Sequence, residues 1–195
     1  AALQGNINSL PDSDSIIRRA RLFYNNNGIE YPSLATATYL VGSENYSKEN
    51  FEQTEEYKHL KNIKSDKEQS VLLKFKKGLE SYIPYSACDI LQSYYAIQNG
   101  EEPIFYPEDF SDGYIFFGYY APGLFDICAT PLSSSYPGVG VHITLLDNIL
   151  QNNFIKKSCL TIDKDRKKCI LLYILHFCLN LYFIGSCFLY GSSSS

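Results

Sequence analysis

The stretch from Asp112 to Leu150 restricts the fold of this chain more than any other. Asp112-Gly113 is a turn signal, and Tyr114–Tyr120 follows as an apolar and aromatic run broken only by Gly118. A run without alternation suits a strand buried on both faces, as in a parallel sheet covered by helices. Ala121–Tyr136 is punctuated by Pro122-Gly123, Pro131 and three serines, and reads as an irregular loop. Pro137-Gly138 then opens a helix in which Val139, Ile143, Leu146 and Leu150 recur at i, i+4, i+7 and i+11. Thr144, Asp147 and Gln151 fall on another face. Since the loop returns helix onto strand, Phe116, Phe117, Val139, Ile143 and Leu146 are expected to be buried together.

Upstream, Gly5–Asn8 reads as a short strand and Pro11–Asp14 as a turn, because Asp side chains bond their own backbone there. Ser15–Tyr24 reads as a strand, so the two are expected to pair as a hairpin. Asp12 and Asp14 lack the later ligand positions and the turn glycine of a calcium loop. Arg18, Arg19 and Arg21 could face a ligand, although charges on a strand more often mark a solvated face or an ion pair. Asn25–Gly28 is a loop and Pro32–Leu40 a short helix closed by Gly42. Ser43–Gln69 is charged, exposed and partly helical, a solvated connection. Val71–Phe75 is a further strand. Ser86 is placed to cap a helix with Asp89 at its third position, and Glu101–Phe110 is a Pro-interrupted approach to the central strand.

Near the other end, Cys169–Tyr190 is 22 residues without a formal charge. As an α-helix it would span about 33 Å, enough for a bilayer core. The alternative is a buried helix of a larger soluble domain, but few soluble helices are apolar on every face. The 17 basic and 21 acidic residues give a net charge of −4. Lys156–Lys168 holds six basic residues against two aspartates, so it carries +4 and the remainder carries −8. That balance is poor for a nucleic-acid binder, and no basic-aromatic platform appears, so no nucleic-acid partner is expected.

Six cysteines do not form a framework. Cys169, Cys178 and Cys187 lie in the apolar stretch, and none of the six shows C-x-x-C spacing. Cys88, Cys128 and Cys159 are the candidates for an extracytoplasmic bridge. No G-x-S-x-G elbow, H-E-x-x-H or glycine-rich phosphate loop is present. A hydrolase can be assembled on paper from Asp89, Asp126, His142 and one of Ser133–Ser135. Structural roles suit these residues better, with Asp126 tying the loop down and His142 bonded to it.

Gly118, Ala121–Asp126, Thr130-Pro131, Pro137–Val139, His142 and the D-N-I-L tail together resemble the second CHASE family. These are extracellular sensing domains associated with cyclases and histidine kinases. Gly5–Ala35 and the S-A-C-D-I-L unit at Ser86–Leu91 are similar to earlier parts of the same family, which commonly has Gly where Ser15 stands. The resemblance implies a fold that is α/β, with a mostly parallel sheet flanked by helices, an antiparallel hairpin and a C-terminal transmembrane helix. The division expected is a sensory domain over 1–155, a basic juxtamembrane linker over 156–168, the membrane helix over 169–190 and a tail over 191–195. Members usually carry a preceding transmembrane helix and a first strand–helix unit, so a longer protein is expected.

The function expected is an extracytoplasmic input domain in the cell membrane, controlling a nucleotide cyclase or histidine kinase beyond these residues. A membrane-anchored extracytoplasmic hydrolase or a structural domain is the alternative. The partners expected are a small-molecule or physical signal, the membrane, and a second copy in a homodimeric receptor, with no cofactor, no metal and no catalytic residue. In open α/β sheets ligands sit outside the carboxyl ends of strands. Asp126, Thr130 and His142, in the loop and helix after the central strand, are therefore the expected ligand-binding residues. The basic cluster argues for the opposite topology, since Lys/Arg-rich flanks are normally cytoplasmic. The family architecture nevertheless places 1–155 outside.

Overall fold

A computed structural model describes residues 3–44, 46–76, 82–119 and 126–156. The strand expected over Ser15–Tyr24 is two strands with different partners. β1 (Arg19–Arg21) pairs antiparallel with β4 (Ser70–Leu72), whereas β2 (Phe23–Asn26) turns back on β3 (Ile29–Pro32). Asn27 and Gly28 form the two-residue loop, both at positive φ (53° and 85°), as the twist of a tight hairpin demands. That turn decides the pairing, so the hairpin expected between Gly5–Asn8 and Ser15–Tyr24 does not form. Asn6 instead makes an isolated parallel bridge to Ser33.

Asp12–Ser15 is a turn, with Ser15 N–H donating to the Asp12 carbonyl at 2.9 Å. Arg18 grips Asp14 through both guanidinium nitrogens at 2.8 and 2.7 Å, and these bonds hold that carboxyl down to a pKa of about 2. Ser33 caps α1 (Leu34–Val41), accepting from Thr36 N–H at 3.3 Å, and buries Ala35, Thr36, Ala37 and Leu40 with it.

Ser43–Gln69 is partly helical, as expected, but it is more than a connection. Thr54 caps α2 (Glu55–Asn62), which buries Leu60 and sets the Tyr57 ring edge-on to Phe23 and Phe51. Glu30 of β3 accepts from Tyr57 Oη (3.0 Å), Lys61 Nζ (2.7 Å) and Gln69 Nε2 (3.2 Å), stitching this segment to the hairpin.

α3 (Ala87–Asn99) starts at Ser86 and ends at left-handed Gly100, and Asp89 occupies its first turn as expected. Its buried Ser93 accepts from Phe105 N–H at 3.0 Å, while Tyr85, Phe105 and Phe110 pack edge to face nearby. Two short strands, β5 (Ile127–Cys128) and β6 (Tyr136–Pro137), pair antiparallel just before α4 (Gly138–Gln151). After α4, Ile155 returns to bridge Leu72.

The architecture is mixed α/β, with three two-stranded antiparallel sheets and four α-helices among the described residues. The mostly parallel sheet does not appear there: parallel pairing is confined to the bridges Asn6↔Ser33 and Ile16↔Ala129. The central strand expected over Tyr114–Tyr120 is likewise absent over Tyr114–Tyr119, where no strand is assigned. A parallel strand exists only where another strand offers its backbone, and no described strand pairs with this run. Phe116 reaches the core, but Phe117 is 81% exposed, so the expected joint burial fails for that residue.

α4 is the centre of the core and packs against α1. Its innermost residues are Val141, Leu145 and Ile149, with Leu146 also buried. Val139 and Ile143 are half-buried and Leu150 is exposed, so the true inward face is rotated from the expected one. Thr144, on the other face, is buried too, because its hydroxyl donates to the Gly140 carbonyl at 2.8 Å and meets Tyr136 Oη at 3.3 Å. Among the described residues no helix is long and apolar enough to cross a membrane; Cys169–Tyr190, expected to do so, lies outside them, as do the linker and tail from 157 onward.

Candidate functional site

Asp126 and His142 lie at the start of α4, whereas Thr130 sits in the loop before it, and the three do not form one polar cluster. Asp126 and Gly138 are neighbours because β5 folds back onto β6, with Gly138 N–H donating to the Asp126 carbonyl at 2.9 Å. The Asp126 carboxylate then lies over the Gly138 Cα, where a side-chain carbon would sit about 2.2 Å from Oδ1. No side chain caps α4, since Pro137 is the capping residue. An exposed carboxylate at that end complements the positive pole of the helix.

Thr130 is buried at the head of the next turn. Its N–H donates to the Ser133 carbonyl at 2.8 Å, and its hydroxyl accepts from Ser133 N–H at 3.3 Å. Those bonds shape the loop and run to Ser133, not to Asp126 or His142. Alongside, Ile17 N–H donates to the Ala129 carbonyl at 2.8 Å, tying the loop to the chain before β1.

His142 is 6% exposed and lies one turn into α4. Its Nε2 meets the Ile7 carbonyl at 3.2 Å, and because a carbonyl only accepts, Nε2 carries the proton. Nδ1 is buried with no protein partner among the described residues. Burial holds the imidazole pKa below its ordinary value, against the opposing pull of the Ile7 carbonyl and the Asp126 charge. His142 thus bonds the N-terminal segment, not the loop expected for it. Burial, with the same carboxylate nearby, raises the pKa of the Cys128 thiol. Cys88 and Cys128 are both free.

The paper hydrolase is not assembled. The hydrogen bond made by His142 goes to a backbone carbonyl, and Ser133 Oγ accepts from Ser135 N–H at 3.1 Å. A nucleophile needs a base within hydrogen-bond reach. Among the described residues no group of three or more His, Cys, Asp or Glu could hold a metal ion.

Sequence reasoning singled out Arg18, Arg19 and Arg21 but left their partners open. Arg19 and Arg21 point to the same side of the β1–β4 ladder, beside a cleft of about 410 Å³ that Leu10, Pro11 and Tyr24 also line. The alternation R-A-R was the available signal for a shared face.

Comparison with known proteins returns one family: the model of the CHASE2 domain matches residues 1–181. No curated protein matches, and no solved structure matches. A match over that span leaves out only the last residues of the apolar stretch and the tail. The chain belongs to the CHASE2 domain family, sensory domains of extracytoplasmic type associated with signalling proteins.

Proposed function

We propose that this chain is the extracytoplasmic input domain of a transmembrane receptor, with residues 1–155 outside the cytoplasm and Cys169–Tyr190 as a helix crossing the membrane. The family match over residues 1–181 carries the reading, and the uncharged 22-residue stretch at its end supports it. The output is a nucleotide cyclase or a histidine kinase in the longer receptor, which works as a homodimer. Signal is read where β5, β6 and the start of α4 meet. Asp126 is the exposed contact there, while Thr130 in the loop and His142 in the first turns of α4 are buried. Displacing the Asp126 carboxylate from Gly138 would alter how α4 begins, and α4 is packed through the core.

Thiol labelling in intact cells tests the topology, with the native cysteines removed and Ser65→Cys introduced at an exposed position. A membrane-impermeant reagent should label the new thiol without lysis. Labelling only after lysis places the domain in the cytoplasm and overturns the reading.

A further inference from the structure

The cleft beside β1 contains two arginines in different states. Arg19 is locked: Nε meets Asp12 Oδ1 and Nη1 meets Asp66 Oδ2, both at 3.2 Å. Asp66 is itself pinned, its Oδ1 accepting from the N–H groups of Glu68 and Ser70 at 2.9 Å. Arg21 is held less completely. It bonds one oxygen of Glu68 through Nη2 alone, while its Nε is buried and has no acceptor among the described residues.

That arrangement is half of a familiar contact. A guanidinium presents Nε–H and Nη2–H as a parallel pair that fits both oxygens of one carboxylate. Glu68 fills only one of those positions. Its side chain is 69% exposed, on the turn that Gln69 closes with a positive φ of 58°, whereas Arg21 is 27% exposed. An exposed pair of this kind contributes little, so exchange of Glu68 for another carboxylate costs little. The guanidinium also lies over the Tyr24 ring, 5.7 Å from its centroid, a contact that favours the charged group there. Lys67 adds a positive charge to the lining with no ion-pair partner among the described residues. The volume of about 410 Å³ lies in the range of small-molecule sites.

We propose that this cleft binds a small carboxylate-bearing molecule, which takes both Arg21 donors and displaces Glu68, the carboxylate that occupies the site in its absence. The site is separate from the Asp126 region. The inference goes beyond the sensory reading by giving the domain a ligand class.

Calorimetric titration of the full chain in detergent with succinate and acetate tests this, with inorganic phosphate as the comparison anion. Wild type should bind succinate. Glu68→Gln should bind it several-fold more tightly, because the internal competitor is gone. Arg21→Lys should lose about tenfold or more, because an ammonium cannot supply the paired donors. Glu68→Gln alters an exposed side chain, so its result stands even if Arg21→Lys fails to fold. A merely structural ion pair predicts no gain on removing Glu68. Absence of carboxylate binding to both wild type and Glu68→Gln, unchanged or weaker affinity in Glu68→Gln, or tighter binding of phosphate than of succinate would each overturn the proposal. Failure here leaves the receptor topology standing, because that is read by thiol labelling alone.

Discussion

Asn148 of α4 clasps the backbone of Lys74: Lys74 N–H donates to Asn148 Oδ1 at 2.7 Å, and Asn148 Nδ2 donates to the Lys74 carbonyl at 3.1 Å. Asn148 is fully buried, so its amide replaces the next strand that the chain beyond β4 would otherwise need. Asn148→Ala should lower stability by about 2–4 kcal/mol, since two backbone groups lose buried partners at roughly 1–3 kcal/mol each and solvent recovers part of the loss. Asn148→Asp should also destabilise, because a carboxylate cannot donate to the Lys74 carbonyl. Chemical denaturation would check both, and a change under about 0.5 kcal/mol would show that the clasp contributes nothing.

Ser15 has a φ of 64°, the left-handed region that costs a residue with a Cβ. The position closes the Asp12 turn, whose geometry a glycine would adopt without that cost. Ser15→Gly should raise stability by up to about 1 kcal/mol, strain relief being partly offset by the freer unfolded chain. A fall in melting temperature would mean that the serine hydroxyl contributes more than the strain costs.

His142 should make the fold acid-sensitive. Its folded pKa lies below the unfolded value of about 6.5, so the unfolded chain binds more protons in the window between the two. Stability should therefore be full above about pH 6.5 and decline as pH falls toward the folded value. Protonation would place a second buried N–H at Nδ1, where no protein acceptor stands among the described residues. His142→Gln should flatten this part of the melting-temperature profile between about pH 7.5 and 5.5. An identical profile in the variant would remove His142 as the cause.

Gly138 and Asp126 should be coupled. Gly138→Ala alone would push the Asp126 carboxylate off the start of α4, because the new methyl occupies its place. In an Asp126→Ala background the same substitution should be neutral or stabilising, as alanine is favoured over glycine in a helix by about 1 kcal/mol. A double-mutant cycle of melting free energies measures the coupling, expected at about 0.5–1.5 kcal/mol. Strict additivity would show that the two residues do not touch.

Local signals were legible wherever a residue satisfies its own neighbourhood. Ser33 and Ser86 cap the helices that follow them, Asp12 and Asp14 form a turn, and Leu146 is buried as its spacing predicts. Each of these depends on contacts within a few positions, which the order of residues carries directly. Partnership across the chain was not legible. β1 pairs with a strand some fifty residues away, and nothing in R-A-R names S-V-L as its mate. Apolar spacing reports which side chains avoid water, not which surfaces cover them. α4 therefore came out with its inward face rotated, since α1 and Tyr136 cover it on sides that the repeat did not reveal. Tyr114–Tyr119 shows the same limit most plainly. Its composition suits a buried strand, but a strand is a shared hydrogen-bond ladder, and among the described residues no second backbone meets this run.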